Sequence, residues 1–213
     1  MDVSGPLYTR QSDVVIVAVH TRSIAPDLWH EFSGMTAQQV DAAVDRVCGQ
    51  MHSWIQTLRS HSSAHAIVHT LDTPVFTSGG LLDASTRGGQ REAIERINAR
   101  LRQIAAAIPG VHLLDYDGLM ARYGLLAWED PIRWATLRMP LATDSVVHVA
   151  DEWLRYLHPL SGRLAKVLVC DLDNTLWGGV LGEEGVDGIQ VGGDYPGCAY
   201  QSLHRAILDL YHR

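Results

Sequence analysis

A chain of 213 residues, 46% hydrophobic and 19% charged, is long enough for one complete domain and part of a second. Its formal charge of −7 argues against nucleic-acid or membrane-surface partners, which select concentrated Lys and Arg. Three scattered cysteines, Cys48, Cys170 and Cys198, exclude a disulfide framework and indicate a reducing compartment. Residues 1–6 lack the basic and apolar regions of a signal peptide, and no apolar run approaches bilayer length. The chain therefore reads as cytoplasmic, with no nucleic-acid and no membrane partner.

Residues 13–20 form a continuous β-branched run, the pattern of a strand covered on both faces in a parallel sheet. Thr36 and Gln39 offer a capping box, after which Val40, Ala43, Val44, Val47, Met51, Trp54, Ile55 and Leu58 recur at helical spacing. A second strand is predicted over 64–70. Residues 71–89 read as a long loop marked by Pro74 and two Gly-Gly pairs. Ile94, Ile97, Leu101, Ile104, Ala105 and Ile108 make the stripe of the next helix, closed by Pro109 and Gly110. A third strand is predicted over 111–115. A helix carrying Val146, Val149, Ala150, Trp153, Leu154 and Leu157 follows the potential cap Thr143-Asp144. Residues 158–163 read as a linker, and 166–171 as a fourth strand.

This alternation predicts an α/β protein: a three-layer parallel-sheet domain over 1–162, flavodoxin-like or SGNH-like in character, and the start of a Rossmann-like domain over 163–213. One strand and one helix, the latter with Leu203, Ala206, Ile207 and Leu210, cannot bury a core of their own. The incomplete second domain is expected to expose apolar surface, with association or disorder beyond about residue 180.

The chemistry-bearing stretch is Cys170-Asp171-Leu172-Asp173-Asn174-Thr175-Leu176-Trp177-Gly178-Gly179. Reactive groups in an open parallel sheet gather where strands end at the carboxyl edge, and a strand over 167–170 delivers Asp171 there. Asp173 falls where the backbone turns. Two carboxylates this close favour a hard divalent cation, Mg²⁺, which offsets their repulsion. One can act as nucleophile while the other transfers protons, with Thr175 and the turn's N–H groups cradling phosphate oxygens. The plain alternative is a strand followed by a capped turn.

The motif from Asp171 through Trp177 resembles motif I of the haloacid dehalogenase (HAD) superfamily. Its extension through Gly178, Gly179, Val180 and Gly185 resembles one subgroup, the FkbH-like proteins of polyketide extender-unit pathways. Weaker matches precede it in the family's order: Gly80 to Asp83, Gly89-Gln90, Ile97-Asn98, Leu114-Asp115, Gly124 to Trp128, and Lys166. The resemblance runs from about residue 13 to the end. It implies that Asp171 is the nucleophile and a magnesium ligand. Asp173 would be the general acid/base, reaching the metal through its carbonyl. Asn174, Thr175, Trp177 and Gly178 are the candidate phosphate- and substrate-binding positions, and residues 177–191 the squiggle and flap that close the site. It further implies glyceryl transfer from 1,3-bisphosphoglycerate, a phosphorylated three-carbon substrate, to an acyl carrier protein, on the way to methoxymalonyl-type units or tetronates. The family's Ser/Thr, Lys and acidic pair lie downstream of the first helix; the one lysine here, Lys166, precedes the nucleophile. The isolated chain is thus expected to be inactive, and the alternative function is a non-catalytic module that docks a carrier protein or other partner.

Four further groupings stand out. His20, His69 and Asp115 end three predicted strands and share one edge, which suits a ligand site; surface polar residues are the plainer reading. His61, His65 and His69 repeat every four residues, but a strand over 64–70 breaks that face. Trp128, Trp134 and Trp153 with Arg133 and Arg138 suit an acidic partner, although packing accounts for most of them. Asp27 and His30 form an Asp-x-x-His too early in the chain for an SGNH esterase, and no Gly-Asp-Ser block exists.

Overall fold

The computed structural model describes residues 5–9 and 12–212. Residues 1–4 of the stretch inspected for a signal peptide lie outside it. The chain divides into two compact units, Met1–Arg163 and Leu164–Arg213.

In the first unit, β1 (Val14–Val17), β2 (His65–His69) and β3 (Val111–Leu114) form a parallel sheet in the order β1-β2-β3. Ile16 lies opposite Ile67, and Val68 opposite Leu113. The crossovers are α1 (Ala37–His61) and α2 (Gln90–Ala107). Alternation along the strands sorts the core. Val15, Val17, Ala66, Val68 and Val111 pack with Val44, Met51, Ile55, Ile94 and Ile97 of α1 and α2. The other face, Val14, Ile16, Ile67 and Leu114, meets Leu119 and Met120 of α3 (Tyr116–Tyr123), Trp128, and Val149 of α5 (Thr143–Leu160). Helices thus cover both faces of a parallel sheet, the three-layer α/β arrangement that the strand–helix alternation implies. Among the described residues no helix is long and apolar enough to cross a membrane.

The capping box at the head of α1 forms: Gln39 N donates to Thr36 Oγ1 at 3.3 Å, and Thr36 N to Gln39 Oε1 at 2.8 Å. Gly110 ends the α2 crossover at φ 77°, a value that favours glycine. Several boundaries differ from expectation. β1 stops at Val17, because the chain turns at His20 into a single helical turn, Thr21–Ile24. α5 is capped by Ala142 without a side-chain bond, and it runs through Pro159 to Leu160, taking the first half of the expected linker. Residues 116–137, for which no element was predicted, hold α3, one turn at Leu125–Trp128, and α4 (Pro131–Leu137). Elements this short show too little periodicity to read. Their starts are marked instead by Asp115, which accepts from Gly118 N, and Asp130, which accepts from Ile132 N and Arg133 N.

The weak upstream motif residues turn out to brace the loop after β2. Asp83, 8% exposed, accepts from Gln90 N at 2.8 Å and Arg91 N at 3.2 Å. The Gln90 side chain donates to Leu28 O and accepts from Ser78 N. Asn98 makes two bonds to the Leu71 backbone, accepting from N at 2.8 Å and donating to O at 2.9 Å. A Cβ on Gly89 would meet the Asp83 carbonyl oxygen at 2.9 Å, so only glycine fits that approach.

Candidate active site

The second unit carries the aspartate motif, and its structure departs from the expected strand. Residues 164–170 form no regular element and have no β partner, and Val167, Leu168 and Val169 are exposed. A strand is defined by pairing with a neighbour, and among the described residues of Leu164–Arg213 there is no second strand. Cys170 is accordingly half-buried, as is Cys198 in α6 (Gly197–Tyr211).

Asp171 is exposed, and its Oδ1 accepts from the adjacent Leu172 N at 2.9 Å. Past it the chain closes into a hydrogen-bonded loop. Asp173 Oδ1 accepts from the Trp177 indole Nε1 at 3.0 Å and from Leu181 N at 3.1 Å. Asn174 sits in the left-handed region at φ 55°, which short polar side chains tolerate, and its Oδ1 accepts from Gly179 N at 2.9 Å. Thr175 is half-buried, with its N–H on Leu172 O. Gly178 exchanges two backbone bonds with Gln190, at 3.1 and 2.7 Å. A Cβ on Gly178 would stand 2.8 Å from Gln190 Oε1 and 3.1 Å from Tyr200 Cε2, so a larger residue there would have to displace the Gln190 side chain. One helical turn, Leu181–Glu184, lies inside the segment expected to form the squiggle and flap. From α6, His204 Nε2 bonds Leu176 O at 2.6 Å.

Asp171 and Asp173 are thus brought together on one loop, with different tasks. Asp171 presents its carboxylate outward, whereas Asp173 ties the loop through one oxygen. Of the candidate phosphate-binding groups, the Trp177 indole N–H, the Gly178 N–H and the Asn174 carbonyl oxygen each already have a partner within the loop. Among the described residues no group of three His, Cys, Asp or Glu side chains is placed to hold a metal ion.

The edge of the first sheet gathers a different set from the one predicted. His20 and His69 both face the Tyr116 ring, at 5.9 and 5.1 Å between centroids. Asp115 is occupied as the α3 cap. Its place is taken by Asp72, missed in sequence because it lies in the loop after β2 without a motif. Asp72 is 1% exposed and accepts from Thr21 N at 2.6 Å and Thr21 Oγ1 at 3.0 Å, with His20 Nδ1 at 3.7 Å. Three other groupings dissolve into structure. His61 ends α1, while His65 Nδ1 meets His112 Nε2 at 3.1 Å, so the four-residue histidine repeat makes no common face. Trp128 is buried and donates to Tyr116 Oη, and Arg22 lies between the Trp29 and Trp134 rings at 4.7 Å from each while pairing with Glu129. Asp27 takes two bonds from Arg46 rather than joining His30 in a site.

No family model matches the chain, and neither does any curated protein. Among solved structures it is similar to the N-terminal part of the protein BF1531 from Bacteroides fragilis, containing a phosphatase domain and complexed with Mg. The TM-score is 0.82 at 21% identity, over 100% of this chain and 55% of that one. The chain therefore shares that protein's α/β fold along its whole length and spans about half of its neighbour.

Proposed function

We propose that this chain is part of a Mg²⁺-dependent phosphatase of the HAD type, with an SGNH-like domain over 1–162 and the first part of the HAD domain over 163–213. The observation that carries the reading is the outward Asp171 carboxylate, two residues from an Asp173 that fixes the following loop. The likeness to a protein with a Mg-complexed phosphatase domain supports it.

The Asp171 carboxylate and the Asp173 carbonyl are hard oxygen donors suited to Mg²⁺ and would supply part of its coordination shell. An ion held there would neutralise charge on the phosphoryl oxygens. Asp171 attacks phosphorus, and its new O–P bond forms as the bond to the leaving oxygen breaks. Asp173 gives that oxygen a proton. Water then hydrolyses the aspartyl phosphate, returning a proton to Asp173 and freeing inorganic phosphate. The Trp177 and Leu181 N–H bonds hold the Asp173 carboxylate in place for this exchange.

The motif extension through Gly185 supports a narrower reading: the substrate is 1,3-bisphosphoglycerate and the acceptor an acyl carrier protein. There the carrier thiol attacks the acyl carbon, a C–S bond replaces the C–O bond, and the acyl phosphate leaves with the thiol proton; the phosphate on the third carbon is the one Asp171 takes and water releases, which leaves a glyceryl thioester. The test is phosphate release from 1,3-bisphosphoglycerate with Mg²⁺. Asp171→Asn should lower the rate at least about 10³-fold, and a glyceryl thioester should appear when carrier protein is added. Equal background release by both proteins would overturn the claim that this chain is itself an enzyme and favour the non-catalytic docking module.

A further inference from the structure

At the carboxyl edge of the first sheet a cavity of about 130 Å³ is lined by His20, His69, Tyr116, Leu141, Val149 and Trp153, among others. Engineered cavities of about 150 Å³ take benzene, so there is room for about five heavy atoms.

Two imidazoles line it, and each has one nitrogen engaged and the other left over. An indole N–H can only donate, and that of Trp153 is directed at His69 Nε2 at 2.8 Å. His69 therefore carries its proton on Nδ1, and that N–H has no protein partner among the described residues. Burial, and then the neighbouring His20, hold the His69 pKa down to about 4, so the ring stays neutral and offers one donor. Burial pushes the Asp72 carboxyl up, but His20 and the Thr21 N–H outweigh burial and hold it below its ordinary value. An ionised carboxylate only accepts, so the His20 nitrogen facing it at 3.7 Å, Nδ1, carries a proton. Nε2, across the ring from Asp72, is the nitrogen left for a ligand.

The geometry points to a binding site for a small neutral alcohol of about four carbons. Its hydroxyl oxygen accepts the His69 Nδ1–H. The same hydroxyl can donate to His20 Nε2 or accept from it, so the pairing holds in either protonation state of that ring. The hydrocarbon part lies against Leu141, Val149 and the rings of Tyr116 and Trp153. Charged ligands of the same size are disfavoured by the same groups. A carboxylate would lie near the ionised, buried Asp72, whose Oδ2 is itself unpaired among the described residues, and no Arg or Lys lines the cavity to offset it. An ammonium carries no lone pair to accept the His69 Nδ1–H. This site does not depend on the phosphatase reading.

The test is titration of the full chain with 1-butanol, following the Trp153 indole N–H by NMR, with butyrate, butylammonium and 1-butanethiol as size-matched probes. Butanol should give a saturable shift with a Kd of about 1 mM. Butanethiol, a poor hydrogen-bonding group of similar shape, should bind about fivefold more weakly or worse, and the two ions more weakly than butanol. His20→Phe keeps a ring but removes both nitrogens, and should weaken butanol binding about two- to tenfold. Val149→Phe should fill the cavity and abolish the shift, with folding of both variants checked by circular dichroism. The proposal is overturned by any of four results: no saturation by butanol in the folded protein, either ion or the thiol binding as tightly as butanol, folded His20→Phe retaining full affinity, or folded Val149→Phe retaining the shift.

Discussion

Ile67 in β2 and Val169 before Asp171 are both β-branched residues inside apolar runs that read as parallel strands, yet Ile67 is 0% exposed and Val169 88%. Ile67 has β1 on one side, β3 on the other, and helices covering the sheet. Val169 has no strand beside it among the described residues of its unit. The two runs differ little in β propensity; they differ in neighbours. Strand formation belongs to a sheet more than to a sequence, which is why propensity on its own placed one run correctly and not the other.

The largest expected stability effect that sharpens this contrast is a truncation in the buried strand. Ile67→Ala should destabilise the protein by about 2–5 kcal/mol in urea unfolding, from lost transfer energy and a residual cavity. Next comes acid. With the folded pKa of His69 near 4 against an ordinary 6.5, the unfolded chain takes up the proton first. Stability is therefore full above pH 6.5 and falls as pH drops from 6.5 towards 4, by about 1.4 kcal/mol per unit across the window. His69→Gln, which keeps an acceptor for Trp153, should remove that share of the acid sensitivity in unfolding curves at pH 7, 5.5 and 4.5 (about three points suffice). The smallest effect is expected at the exposed run: Val169→Ser should change stability by no more than about 0.5 kcal/mol. A larger loss would show that Val169 has a covering partner in solution.

Legibility followed the same division. The three strands, α1 with its Thr36–Gln39 box, and the α2 stripe were readable because long periodic segments carry their own signal. The helices between Asp115 and Leu137 were not, being too short for a period and marked only by Asp115 and Asp130 caps. For the site, the residue types of Asp171 and Asp173 announced phosphate chemistry, but nothing in the spacing told that Asp173 bonds Trp177. Asp72 was invisible for another reason: its role arises from burial against Thr21, a contact across 51 positions. A pairing that distant leaves no local pattern.

The loop after Asp171 has a consequence for the order of events during folding. Its bonds join Asp173 to Trp177 and Leu181, Asn174 to Gly179, and Gly178 to Gln190. Every one closes within a short stretch of chain, and segments of about ten residues close in roughly 10–100 ns. The first sheet must instead bring together partners such as Asp13 and His65, whose backbones bond at 2.9 Å. The turn that positions Asp173 can therefore close quickly once its own residues are made, without a partner from distant chain.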